Sequence, residues 1–214
     1  MTRSDSPRAL RNRTRIAQAA ARLIAEHGLS DWSVAKRKAC RELGLPAHEP
    51  LPGNDEVEQA LRDYNSLFHA ATQPVSLRAQ RIDALRWMER LARWDPVLTG
   101  AVAAGWATEH SEVRLELQAE DAKTVELGLI NDGIAYTQMP SPGPDAAPQL
   151  GIESSAGTVR LVILSPQQRR NRPRRERSGP GEERLNLRDL KALLASEDEP
   201  TTSATTPPQP ARNR

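Results

Sequence analysis

Trp94–Leu117, WDPVLTGAVAAGWATEHSEVRLEL, reads as a strand, a glycine-bounded turn and a second strand. Val97, Leu98 and Thr99 suit a buried strand, and Gly100 and Gly105 bracket a short turn or helix. Glu112, Val113, Arg114, Leu115, Glu116 and Leu117 then alternate charged with apolar residues, the period of a strand with one buried face. Any chemistry in this region belongs to the charged face, which carries Glu112, Arg114 and Glu116.

N-terminal to this stretch the pattern is helical from Thr14 to Trp94. Ile16, Ala20, Leu23 and Ile24 recur at helical spacing up to Gly28, a C-terminal cap. A second helix is expected from about Asp31 to Leu43, and Asn54 is a favourable cap for a third, whose apolar stripe is Val57, Leu61, Tyr64 and Phe68. A fourth follows Pro74 with Leu77, Ile82, Leu85, Met88 and Leu91. Short links favour an antiparallel bundle. On the C-terminal side, Asp121 caps a helix ending near Gly133, Ile134 to Gln138 begins a short strand, and Gln149–Ser154 and Thr158–Leu164 supply two more.

The fold class expected is therefore α+β, a helical bundle followed by a small mixed sheet. The boundaries read as a disordered basic N-terminus over 1–13, a helical domain over 14–94, an α/β domain over 95–166, a disordered basic linker over 167–184, a short helix over 185–196 and a disordered tail over 197–214.

The order of elements around Gly100 resembles the signature of the polymerase-beta nucleotidyltransferase superfamily. In that family a strand ends in Gly-Ser, a short basic helix follows, and a second strand carries two carboxylates one residue apart. Gly100-Ala101 stands where Gly-Ser would be, Ala107-Thr108-Glu109-His110-Ser111 matches the approach to the second strand, and Glu112-Val113-Arg114 occupies the place of Asp-x-Asp. The resemblance covers about the middle third of the chain. It implies the mixed sheet's strand order, a nucleotide or other phosphate ligand, and a site built from Gly100, Ala101, Gly105, Ser111, Glu112, Arg114 and Arg160.

The family's chemistry uses two Mg ions about 3.5–4 Å apart to clamp the attacking and leaving oxygens of a phosphoryl transfer. Carboxylates at i and i+2 share one strand face about 7 Å apart and can converge on such a pair. Glu112 can supply one, making it the single surviving candidate for a catalytic carboxylate. Arg114 cannot supply the other, because its charge is fixed and positive. Glu116 lies about 13 Å along the strand, too far to join Glu112. The third carboxylate of the family comes from a later strand, and Thr158–Leu164 offers Arg160 there. The resemblance thus implies a divergent relative that binds a phosphate ligand without ordinary two-metal transfer. An active nucleotidyltransferase would need Mg and carboxylates such as Glu109, Glu112 and Glu116 gathered by an unusual backbone.

Composition bounds the remaining readings. The chain has 214 residues, 37% hydrophobic and 3% aromatic, so alanine, leucine and valine must fill most of its core. A single cysteine, Cys40, excludes an internal disulfide framework, and His27, His48, His69 and His110 show no ligand spacing. With no long apolar run and no signal-like leader, a cytoplasmic, bacterial-type protein without membrane partners is expected. Gly100 and Gly105 have the glycine spacing of a P-loop, but Trp106 takes the place of its lysine.

The net charge is only +2, yet the arginines cluster. Arg169, Arg170, Arg172, Arg174, Arg175 and Arg177 form RRNRPRRER, a candidate segment for weak, nonspecific nucleic-acid binding, the mark of an adaptor, or otherwise a solvated linker. Two further resemblances concern the helices. RTRIAQAAARLIAEHGLSDWSV is similar to the first helix and turn of a TetR-type DNA-binding domain, although AKRKACRELGLP departs from it. Arg62-Asp63 followed by His69 fits the Arg-polar-His string of a helical ribonuclease family.

Overall fold

The computed structural model describes residues 7–29, 31–141, 143, 146–171 and 183–198. Within them, three helices open the chain: α1 (Pro7–His27), α2 (Trp32–Glu42) and α3 (Asn54–Phe68). They share a core in which Ile16, Ala20, Leu23, Ala35, Ala39, Val57 and Leu61 are buried. The alanines let the helices approach closely, compensating for the scarcity of aromatics.

Helix α1 begins at Pro7, ahead of the expected Thr14, because the polar residues of 7–13 find partners. Asn12 donates to Glu49 at 2.9 Å and Arg13 pairs with Glu56 at 2.7 Å. Asp31 caps α2 by accepting from the Ser33 and Val34 amides. At α3 the capping position is Gly53 rather than Asn54, with Glu56 reaching back to the Gly53 N–H at 2.7 Å. The Arg13 guanidinium beside Glu56 holds that carboxyl below the usual range.

Helix α4 (Gln73–Arg90), expected as the fourth helix of the antiparallel bundle, packs on the sheet. Its Leu77, Ala84 and Met88 belong to the core of the sheet. A 3-10 turn, Ala92–Trp94, leads into β1 (Val97–Thr99), and α5 (Ala101–Ala104), β2 (Val113–Gln118), α6 (Ala122–Asn131), β3 (Thr137–Met139), β4 (Gln149–Ser154) and β5 (Gly157–Leu164) follow. The strands form one five-stranded mixed sheet in the order β1-β2-β5-β4-β3. β2 and β5 are parallel, and the other neighbouring pairs are antiparallel.

One face of the sheet is apolar. Val113, Leu115, Leu117, Val159, Leu161, Ile163, Leu150 and Ile152 pack in one cluster with residues of α4, α6 and the C-terminal helix α8 (Leu187–Asp198). This two-layer arrangement satisfies the period-two pattern of β2, since its alternate residues Arg114 and Glu116 lie on the other face. β2 itself starts at Val113, one residue after the expected Glu112.

The region expected to be a disordered linker over 167–184 is partly ordered. α7 (Pro166–Arg170) is capped by Ser165, whose hydroxyl accepts from the Gln168 amide, and Leu185 makes both bridge hydrogen bonds to Leu98, extending the sheet beyond β1. α8 then lies on α4, where Lys191 pairs with Glu89 at 2.7 Å, Arg78 with Asp198, and Arg81 with Glu197. The expected tail beyond Asp198, the first six residues, and the segment 172–182 lie outside the described residues. Among those described, no helix is long and apolar enough to cross a membrane.

Gly128 marks the closest approach of α6 to the rest of the core. A Cβ there would sit 2.5 Å from Trp94 Cζ2 and 2.7 Å from Arg93 Nη2. Trp94 is buried, and the Arg93 guanidinium lies 4.0 Å above its ring. Gly128→Ala is therefore expected to destabilise by about 1–3 kcal/mol through overpacking, outweighing the roughly 1 kcal/mol that alanine contributes to a helix interior. Urea unfolding checks this, and a variant as stable as the parent would mean that the Trp94 ring yields freely.

Candidate functional site

The turn from β1 into α5 places the first part of the site. Gly100 has φ 74° and ψ −153°, a conformation favouring glycine. Built there, a Cβ would lie 3.9 Å from Arg114 Cβ and Cδ. The chain thus passes directly over the charged face of β2.

Arg114 and Arg160 occupy partner positions on the neighbouring parallel strands β2 and β5, so their backbones stand about 4.8 Å apart on one face. Two like charges at such a position repel one another. Glu112, immediately before β2, offsets the repulsion by a two-pronged pair with Arg160: Nε donates to Oε2 at 2.6 Å and Nη2 to Oε1 at 2.9 Å. Arg160 Nη1 also donates to Gln149 Oε1 at 2.7 Å. The Arg160 side chain keeps about a fifth of its surface open.

These groups line a cleft of about 710 Å³ between the sheet and the helical unit. Gly100, Ala101, Ser111, Glu112, Arg114 and Arg160 all reach it. The helical unit contributes a second wall with Asp31, Trp32 and Asn54, and Trp106 and His110 come from the loop before β2. Trp32 packs edge-to-face on Trp106, with ring centroids 5.3 Å apart. Asn54 is held by the ammonium of Lys36 at 2.7 Å. Burial pushes the Lys36 pKa down, and the nearby Asp55 and Glu56 charges oppose that effect.

The wall that follows α5 is positioned by side chains with no local sequence signal. Arg62 donates to the Ala104 carbonyl at 2.7 Å, Asn65 to Trp106 at 3.1 Å, and Gln73 to Gly105 and Ala107. Gln80 donates to the carbonyls of Thr108 and Ser111, and Arg81 to that of Val102. Together they satisfy the backbone of a segment that is neither strand nor long helix. Gly28, at φ 62°, lets the end of α1 reach this loop, where an added Cβ would meet His110 Cβ at 2.9 Å.

Several expected site residues have other roles. Gly105 does not line the cleft; it ends α5 at φ 84°, with its carbonyl bound by Gln73. Ser111 lines the cleft, but its hydroxyl accepts from the Thr108 amide at 2.9 Å. Glu116 is buried along the strand and paired with Arg184 at 2.6 Å. Glu109 is largely exposed, 3.7 Å from His110. The acids Glu109, Glu112 and Glu116 are therefore not gathered. Among the described residues, no three His, Cys, Asp or Glu side chains converge in a way that could hold a metal ion, and Glu112 is engaged by Arg160 in the presence of Arg114, a donor set that does not fit a Mg pair.

The residues of the helical ribonuclease string have partners of their own. Arg62 bonds Glu58 and the Ala104 carbonyl, whereas His69 lies 5.7 Å from the Tyr64 ring. Of the arginine-rich segment, Arg169 is tied to Asp95 through two hydrogen bonds and Arg170 donates to the Pro166 carbonyl. Arg172, Arg174, Arg175 and Arg177 lie outside the described residues. No protein-family model matches the chain, and a search of curated proteins returns no match.

Proposed function

We propose that the cleft binds a nucleotide or another phosphate-bearing ligand through Arg114 and Arg160, in a divergent nucleotidyltransferase-like domain that does not perform ordinary two-metal transfer. The observation that carries this reading is the side-by-side placement of two arginines on adjacent strands, both lining one cleft, with the Glu112 carboxylate paired to Arg160. Guanidinium groups match phosphate oxygens two at a time, and a pair of them supplies the positive charge that metal ions supply elsewhere. Further support is the order β1, tight glycine turn, α5, β2, with β5 parallel to β2. Glu112 acts as an internal stand-in for the ligand. Binding exchanges its carboxylate for phosphate on Arg160.

This exchange sets the sign of the test. In calorimetric titrations with inorganic triphosphate, in chelator and without divalent ions, the parent protein is expected to bind, and Glu112→Gln to bind about tenfold more tightly, equivalent to about 1.4 kcal/mol. The neutral amide no longer competes for Arg160 or repels the incoming anion. Weaker binding by Glu112→Gln would place the ligand elsewhere, and absence of binding by both proteins would reject the function.

A further inference from the structure

We infer that Trp32, on the helical unit, is the specificity-determining residue of this cleft: it holds a planar heteroaromatic ring of the ligand while the arginines hold its anionic end. The inference rests on the phosphate-binding reading and adds the half of the ligand that reading leaves open. Only seven residues of the chain are Trp, Tyr or Phe (four, two and one), yet two tryptophans, Trp32 and Trp106, line this cleft together with Arg114 and Arg160. Trp106 is buried and has its carbonyl bound by Asn65, so it serves as the backing. Trp32 is half-buried, packs on Trp106 and lines the cleft.

Its position is rigid for identifiable reasons. Trp32 is the first residue of α2, and the Asp31 cap fixes the turn by accepting from Ser33 N at 2.8 Å and Val34 N at 3.0 Å. The edge-to-face contact with Trp106, at an interplanar angle of 63°, restrains its ring. A rigid aromatic that loses little conformational freedom on binding makes a good stacking platform. A polar rim adjoins it, made by Asp31 and by Asn54, whose orientation Lys36 secures. The cleft volume of about 710 Å³ lies within the range of about 300–1,000 Å³ in which proteins enclose small organic ligands, and it exceeds what a bare phosphate group would fill. The Trp32 ring and the two arginines of the lining come from different units of the fold, so a ligand carrying both chemistries bridges them.

The test compares ATP, which has a ring, with inorganic triphosphate, which has none, on the full chain by calorimetry. Trp32→Leu keeps apolar packing against Trp106 while removing the ring, and Trp32→Phe restores an aromatic face. The parent is expected to bind ATP more tightly than triphosphate. Trp32→Leu should lose about tenfold in ATP affinity with triphosphate affinity unchanged, and Trp32→Phe should recover most of the loss. If the parent shows no preference for ATP, or if Trp32→Leu weakens both ligands equally or neither, the inference fails while phosphate binding stands. If the parent binds neither, both fail. Should Trp32→Leu not fold, Trp32→Phe still decides: ATP binding must quench the tryptophan fluorescence of the parent, and most of that quenching must vanish in the variant.

Discussion

Arg184→Ala is expected to lower the free energy of unfolding by about 3–5 kcal/mol, the largest effect of any single substitution considered for stability. Arg184 Nη2 lies 2.6 Å from Glu116 Oε2, and the Glu116 side chain is only 4% exposed. Removing the guanidinium takes the facing positive charge from a carboxylate already withdrawn from water. The cost comes from desolvation of that charge more than from the intrinsic strength of the pair. A paired replacement separates the two effects. Glu116→Leu combined with Arg184→Met removes both charges while keeping apolar volume, and should return most of the stability lost by Arg184→Ala. Urea unfolding of the three variants is the measurement. If Arg184→Ala stays within about 0.5 kcal/mol of the parent, as a surface substitution would, the pair is structurally idle.

The pair also commits the Glu116 carboxylate to Arg184. Arg184 reaches it from a segment whose next residue, Leu185, is hydrogen-bonded to Leu98 beside β1. This segment thus pairs with the sheet edge at Leu98 and sets a positive charge against the acid in one place. Edge strands left open invite pairing with other chains, and this closure removes that opportunity at Leu98.

What could be read from the sequence divides along the line between local and distant interactions. The alternation in β2 and the Gly100 turn are local: the turn stands where its glycine placed it, and β2 begins within one residue of its expected start. Asp121 caps α6 through the Thr124 amide at 2.7 Å, again a contact spanning three residues. By contrast, the allegiance of α4 depends on its buried polar residues. Gln80, Arg81 and Asp83 are each less than a tenth exposed, and they blur the apolar stripe that assigns a helix to a partner. Their partners, including the Thr108 and Val102 carbonyls and the Ser154 and Ser155 hydroxyls, are distant in sequence.

The site divides in the same way. Glu112 and Arg114 were visible as the charged face of one strand. Arg160 came into view through the family resemblance, and its parallel register with Arg114 is a pairing across 46 residues. Trp32 and Asn54 carried no signal of membership, because the helical unit meets the sheet only through tertiary packing. Gly105 looked equivalent to Gly100 by spacing, yet only Gly100 faces the cleft, while Gly105 terminates α5.

Arg114→Ala combined with Arg160→Ala gives the second large effect. Each arginine offers charge-assisted hydrogen bonds of about 1.5–3 kcal/mol, so losing both should weaken phosphate binding by at least about a hundredfold. Glu112 is about a third exposed and remains solvated once Arg160 is gone, so the main cost to the fold is the buried Gln149 amide oxygen that loses its Arg160 donor, about 1–3 kcal/mol. The variant should therefore retain cooperative unfolding.

The decisive measurement is calorimetric titration of the parent and this double variant with inorganic triphosphate in chelator. Binding by the parent that disappears in the folded double variant is the predicted result. Undiminished affinity after both arginines are removed would contradict the account, because the cleft would then hold its ligand without the two charges on which the reading depends.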